Sequence, residues 1–116
     1  MDVEVDLYSG RPNPRFRLDP ATGTELLRRL AGLDPAPAPD ARSEPLGYRG
    51  LRVEPGSAGA PIAEVVIAGG AVLVRERGGR ELWLVDRGRE LERWLAGQAG
   101  TGLDSGVLSV LRQELS

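Results

Sequence analysis

The chain has 116 residues and a formal net charge of −2, from 15 basic and 17 acidic residues. That length suits one domain, able to bury roughly 65% of its unfolded surface. Every basic residue is Arg, and Lys, His and Cys are absent. Their absence removes disulfides and zinc–thiolate sites, the commonest general base and metal ligand, and lysine-based Schiff-base or Walker-type chemistry.

Asp, Glu, Ser, Thr, Tyr and Arg remain, so a non-enzymatic protein without a cofactor is expected. The serines lie in no nucleophile-elbow context and have no His to activate them. Acids and arginines are spread nearly evenly over both halves, and the aromatics are two Trp, two Tyr and one Phe. Without a basic stripe, nucleic acid is not an expected partner. The acidic N-terminus lacks the apolar core of a signal peptide, and no apolar run reaches spanning length; no membrane contact and a cytoplasmic location are expected. Arg in place of Lys, with abundant Ala, Gly, Leu and Pro, points to a GC-rich bacterial genome.

Asp2 to Tyr8 alternates, with Val3, Val5 and Leu7 on one face and Asp2, Glu4, Asp6 and Tyr8 on the other, as a half-buried strand does. Phe16 and Leu18 alternate with Arg15 and Arg17 in the same way. A hairpin setting Leu7 opposite Phe16, Val5 opposite Leu18 and Asp6 opposite Arg17 makes one apolar and one charge-paired face. Successive acids on that strand face stand roughly 6.5–7 Å apart, too far for all three to hold one hard cation. Salt bridges are therefore expected and no metal, with Ca²⁺ or Mg²⁺ as the residual alternative.

The connection is Ser9-Gly10-Arg11-Pro12-Asn13-Pro14. Its two prolines fix their own φ and push Arg11 and Asn13 towards extended conformations. A rigid loop is expected, holding the Arg11 guanidinium and the Asn13 amide outward and ready for a carboxylate, a phosphate or a partner's backbone. Ser, Gly, Pro and Asn are also ordinary turn residues, and a loop that only braces the hairpin is the competing reading.

Asp19-Pro20 and the capping box Thr22-x-x-Glu25 offer two overlapping starts for a helix. Its apolar stripe is Leu26, Leu27, Leu30 and Leu33, its solvent side includes Arg28 and Arg29, and Gly32 stops it. Residues 34–45, punctuated by four prolines, read as a mobile surface loop. A third strand is expected within Leu46–Glu54, introduced by Gly47-Tyr48-Arg49-Gly50. Tyr and Arg between glycines suit an interface, and Tyr48 packing its ring on the sheet rim is the alternative.

The hexapeptide after an N-terminal strand, with Gly-Tyr-Arg-Gly downstream, resembles a family of small, uncharacterised microbial proteins that carry both motifs. The motifs cover little of the chain. No activity is established for that family, so the resemblance implies no catalytic residue.

Beyond a second loop at 55–61, Glu64 to Val85 reads as three strands. Gly69-Gly70 is a two-residue hairpin turn pairing Ala68 with Ala71 and Ile67 with Val72. A three-residue turn, Arg77-Gly78-Gly79, pairs Glu76 with Arg80, Arg75 with Glu81 and Val74 with Leu82. A two-residue turn there opposes like charges. Asp86 caps a helix from Arg87 to about Ala96, buried through Leu91, Trp94 and Leu95, with Arg87, Arg89 and Arg93 wet. Asp104 or Ser105 caps a last helix that turns Val107, Leu108, Leu111 and Leu115 inward. Trp83 and Trp94 read as core anchors.

The expected fold is α+β: an antiparallel-dominated sheet of about five or six strands with three helices mainly on one face. The binding residues are Arg11, Asn13, Tyr48 and Arg49, on the condition that the first hairpin and the third strand end on the same side. Their expected partner is a protein or peptide. A small anionic metabolite held by Arg11 and Arg49, with Asp6 or Glu4 available for catalysis, is the alternative.

Overall fold

The computed structural model describes residues 1–7, 12–37, 49–56, 61–100 and 102–115. Its strands are β1 (Asp2–Asp6), β2 (Arg15–Arg17), β3 (Gly50–Glu54), β4 (Ile62–Ala68), β5 (Ala71–Glu76) and β6 (Glu81–Val85). Its helices are α1 (Pro20–Ala31), between β2 and β3, then α2 (Glu90–Ala96) and α3 (Ser105–Leu115) after β6. The strands form one antiparallel sheet in the order β2-β1-β3-β4-β5-β6. β2 and β3 thus flank β1, and α1 with the chain after it passes from one side of β1 to the other.

Period-two alternation decides which face is buried. Val3, Val5, Leu51, Val53, Val65, Ile67 and Val72 are fully buried on one face, in a single core with Leu26, Leu30, Leu91, Leu95, Val107 and Leu111 from the helices. α1 starts where Asp19 accepts the Thr22 N–H at 2.7 Å, with Pro20 in the first turn, where its missing N–H costs nothing. α3 starts where Asp104 accepts the Val107 N–H at 2.9 Å. No described helix is long and apolar enough to cross a membrane.

The opposite face carries a ladder of alternating charge with one member from each strand. Arg15 meets Glu4 at 2.7 Å, Glu4 meets Arg52 at 3.8 Å, and Arg52 meets Glu64 at 2.8 Å. Arg75 then meets Glu64 at 3.1 Å and Glu81 at 2.8 Å. Hydrogen bonds to Glu81 and to Glu64 hold the Arg75 guanidinium above its ordinary range. Each exposed pair contributes about 0.2–1 kcal/mol, and the ladder as a whole also favours one register.

The β5–β6 turn has the expected three residues, with Arg75 opposite Glu81 and Val74 opposite Leu82. The first hairpin differs. Val3, not Leu7, lies opposite Phe16, and Asp2, not Asp6, lies opposite Arg17. The Val5 N–H donates to Pro14 O at 2.8 Å, which lengthens the connection. Sliding each strand by an even number of residues preserves both faces, so alternation alone does not select between the two registers.

Three further expectations change. Residues 34–36 do not lie loose; they run along the outer edge of β6, with Ala36 N–H on Trp83 O at 2.8 Å and Val85 N–H on Asp34 O at 2.9 Å. Residues 38–45 lie outside the described residues. Trp83 stands opposite Leu73, on the face away from the main core, whereas Trp94 packs against that core. α2 begins at Glu90, after a 3₁₀ turn, Arg87–Arg89.

Candidate functional site

Asp6 ends β1 on the charged face, and two separate segments of chain meet there. The Arg49 N–H donates to Asp6 O at 2.7 Å, and Arg49 Nη2 donates to Asp6 Oδ1 at 2.9 Å. Asn13 Nδ2 donates to the same Oδ1 at 3.4 Å and to Glu4 Oε2 at 3.0 Å. Asn13 Oδ1 accepts the Leu7 N–H at 3.0 Å. The only asparagine in the chain therefore closes its own hairpin, using both ends of its amide, while Arg49 ties the start of β3 to the same carboxylate.

Gly50 completes the arrangement. It has φ +128°, and a Cβ there would stand 2.6 Å from Ile67 O and 2.7 Å from Ala68 Cβ. The glycine is needed twice over, for a backbone that side chains avoid and for the close approach of β4. The second glycine of Gly-Tyr-Arg-Gly is thus a packing requirement.

Of the expected site residues, Asn13 and Arg49 are brought together, joined through Asp6. Arg11 and Tyr48 lie outside the described residues. Asn13 and Arg49 do not simply project outward; each has donors engaged with β1. The Arg49 and Asp6 side chains are 23% and 25% exposed, enough shielding to strengthen the pair above a fully solvated one. Asp2 and Glu4 pair with Arg17 and Arg15, and no group of acids among the described residues is arranged to hold a metal ion.

A second polar cluster was legible in the sequence only through its cap, Asp86. Glu92 on α2 is completely buried. Its Oε1 accepts the Gly69 N–H from the β4–β5 turn at 3.1 Å, and Arg89 reaches both carboxylate oxygens at 3.1 Å. Asp86, 2% exposed, accepts the Leu91 N–H at 2.8 Å and the Glu92 N–H at 3.0 Å, so it caps α2 across the intervening turn. Gly88 and Arg89 make that turn with left-handed backbones, φ 62° and 57°. Arg89 is the one described non-glycine residue with positive φ, a conformation that costs about 1–2 kcal/mol. The cluster fastens α2 to the sheet at the β4–β5 turn, one residue beyond the Ala68 that packs against Gly50.

Compared with known proteins, the chain matches no family model, no curated protein and no solved structure.

Proposed function

We propose that the protein is a non-enzymatic binding or adaptor protein that recognises a protein or peptide segment through the two loops joined at Asp6. Arg11 and Tyr48 make the contacts in this reading, and Asn13 and Arg49 position them. The observation that carries it is the convergence of Asn13 and Arg49 on one carboxylate oxygen. It supports the condition that both motif-bearing segments leave the same end of the sheet. Asn13 and Arg49, held by the same carboxylate, have little entropy left to lose on binding, which favours recognition.

Charge balance favours a peptide over a small anion. The positive charge of Arg49 is met by Asp6, and Glu4 stands next to it beside Asn13. A small carboxylate or phosphate approaching this floor finds its cations already engaged, Arg49 by Asp6 and Arg15 and Arg52 by Glu4. A peptide supplies backbone donors and acceptors and an aromatic or cationic side chain, all compatible with such a floor.

A random-peptide display library panned on the folded protein tests the proposal. Peptides enriched on the wild type and lost on a folded Arg11→Ala/Tyr48→Ala variant are expected. Equal enrichment on both proteins, or none on either, refutes it.

A further inference from the structure

An open groove of about 560 Å³ runs between the C-terminal end of α2 and α3. One wall is low, made by Ala96, Gly97 and Gly100, and the other carries half-buried Leu108, with Leu111 and Leu115 showing only their edges from the core beneath. Two arginines stand on its rim, and no acid lines it. Arg93 is engaged with main-chain carbonyls, Leu115 O and Gly88 O, both at 2.6 Å. Arg112 is exposed and is the one described arginine with neither a hydrogen bond nor an ion pair.

Gly97 also lines the groove. Its backbone is right-handed helical, φ −66° and ψ −16°, which any residue adopts. A Cβ there would meet nothing within 4 Å. Neither conformation nor packing within this chain calls for glycine. A large side chain in its place would occupy the groove that Gly97 lines.

We propose that this groove docks an acidic amphipathic helix of a partner protein. Leu108 to Leu115 spans two helical turns, about 10 Å, which matches anchors at i, i+4 and i+7 of an incoming helix. A carboxylate flanking those anchors meets Arg112, so the unpaired cation finds its partner in the complex. The open shape suits a helix lying along the surface better than a small molecule, which needs a site that surrounds most of it. The groove shares no lining residue with the cluster at Asp6, and the two proposals fail independently.

The test uses two stapled helical peptides of about four turns, identical in their leucine anchors, one flanked by Glu and the other by Lys. Binding is followed by fluorescence anisotropy at low salt. The Glu peptide is expected to bind roughly five- to tenfold tighter than the Lys peptide, with the difference shrinking as salt is raised. Arg112→Glu, an exposed change, is expected to reverse the preference. Gly97→Leu fills the groove and is expected to abolish binding of both while the protein melts no lower than wild type. Equal affinity for the two peptides overturns the proposal, as does a Gly97→Leu variant that binds normally. Saturable binding of decanoate without peptide binding, or a groove-dependent homodimer by sedimentation, also overturns it and assigns the groove to a small amphiphile or to a second copy.

Discussion

Glu92 is the one charged side chain among the described residues that is completely buried. Its carboxylate is completely buried, holding the Gly69 N–H and two nitrogens of Arg89. Glu92→Ala leaves Arg89, 32% exposed, without that carboxylate. It also strips the Gly69 N–H of its acceptor. Removing one partner of a buried pair costs about 3–5 kcal/mol, and water reaching the half-buried guanidinium puts this case near 3 kcal/mol. For 116 residues the entropy of unfolding is about 0.24 kcal/mol/K, so Tm falls by about 12 °C. Glu92→Gln keeps an oxygen for Gly69 and loses only the charge, costing about 1–2 kcal/mol. Urea melts followed by circular dichroism give both values, and an Arg89→Ala/Glu92→Ala cycle isolates the pair. A loss below about 1 kcal/mol for Glu92→Ala, or equal losses for Ala and Gln, refutes this account.

Gly50→Ala is expected to cost about 2–4 kcal/mol, because its Cβ lands on Ile67 O and Ala68 Cβ; denaturant melts check it. Asn13→Asp replaces the amide donor facing Glu4 and Asp6 with a third carboxylate. It is expected to cost about 2 kcal/mol at pH 7 and to recover as the pH is lowered towards 4, read from melts across that range. The Asp19 carboxyl is held below its ordinary 3.8, first by the backbone hydrogen bond from Thr22. A depressed folded-state pKa gives stability that is complete above pH 3.8 and lost as the pH falls through the folded value. The deficit of Asp19→Ala relative to wild type is therefore expected to narrow below that pH, as paired melts from pH 6 to pH 2 will show.

Legibility in the sequence followed the turns. Gly69-Gly70, and the like charges that a two-residue turn at Gly78-Gly79 opposes, each leave one register, so β4, β5 and β6 were readable in detail. The first hairpin had a correct pair of faces and a displaced register, because its deciding contacts are an Asn13 side-chain bond and a Pro14 carbonyl, neither visible to periodicity. Residues 34–36 read as linker by composition, yet their backbone completes the edge of β6, and main-chain pairing needs no particular side chain. Glu92 went unnoticed because a Glu on a helix is ordinarily solvated, and its partners come from a turn and a neighbouring helical residue. At the candidate site the sequence named Asn13 and Arg49 and placed acids nearby. The role of Asp6 as their common anchor needed the sheet order, with β3 beside β1.

The most direct test of the binding surface is a titration by calorimetry of a display-selected peptide against three proteins: wild type, Arg11→Ala/Tyr48→Ala, and Asp6→Ala. The account predicts that the double variant binds at least tenfold more weakly. It predicts that folded Asp6→Ala also loses affinity, with a less favourable entropy of binding, because the loops are no longer tied together. Unchanged affinity in both variants contradicts it and leaves the two loops as braces of the sheet alone.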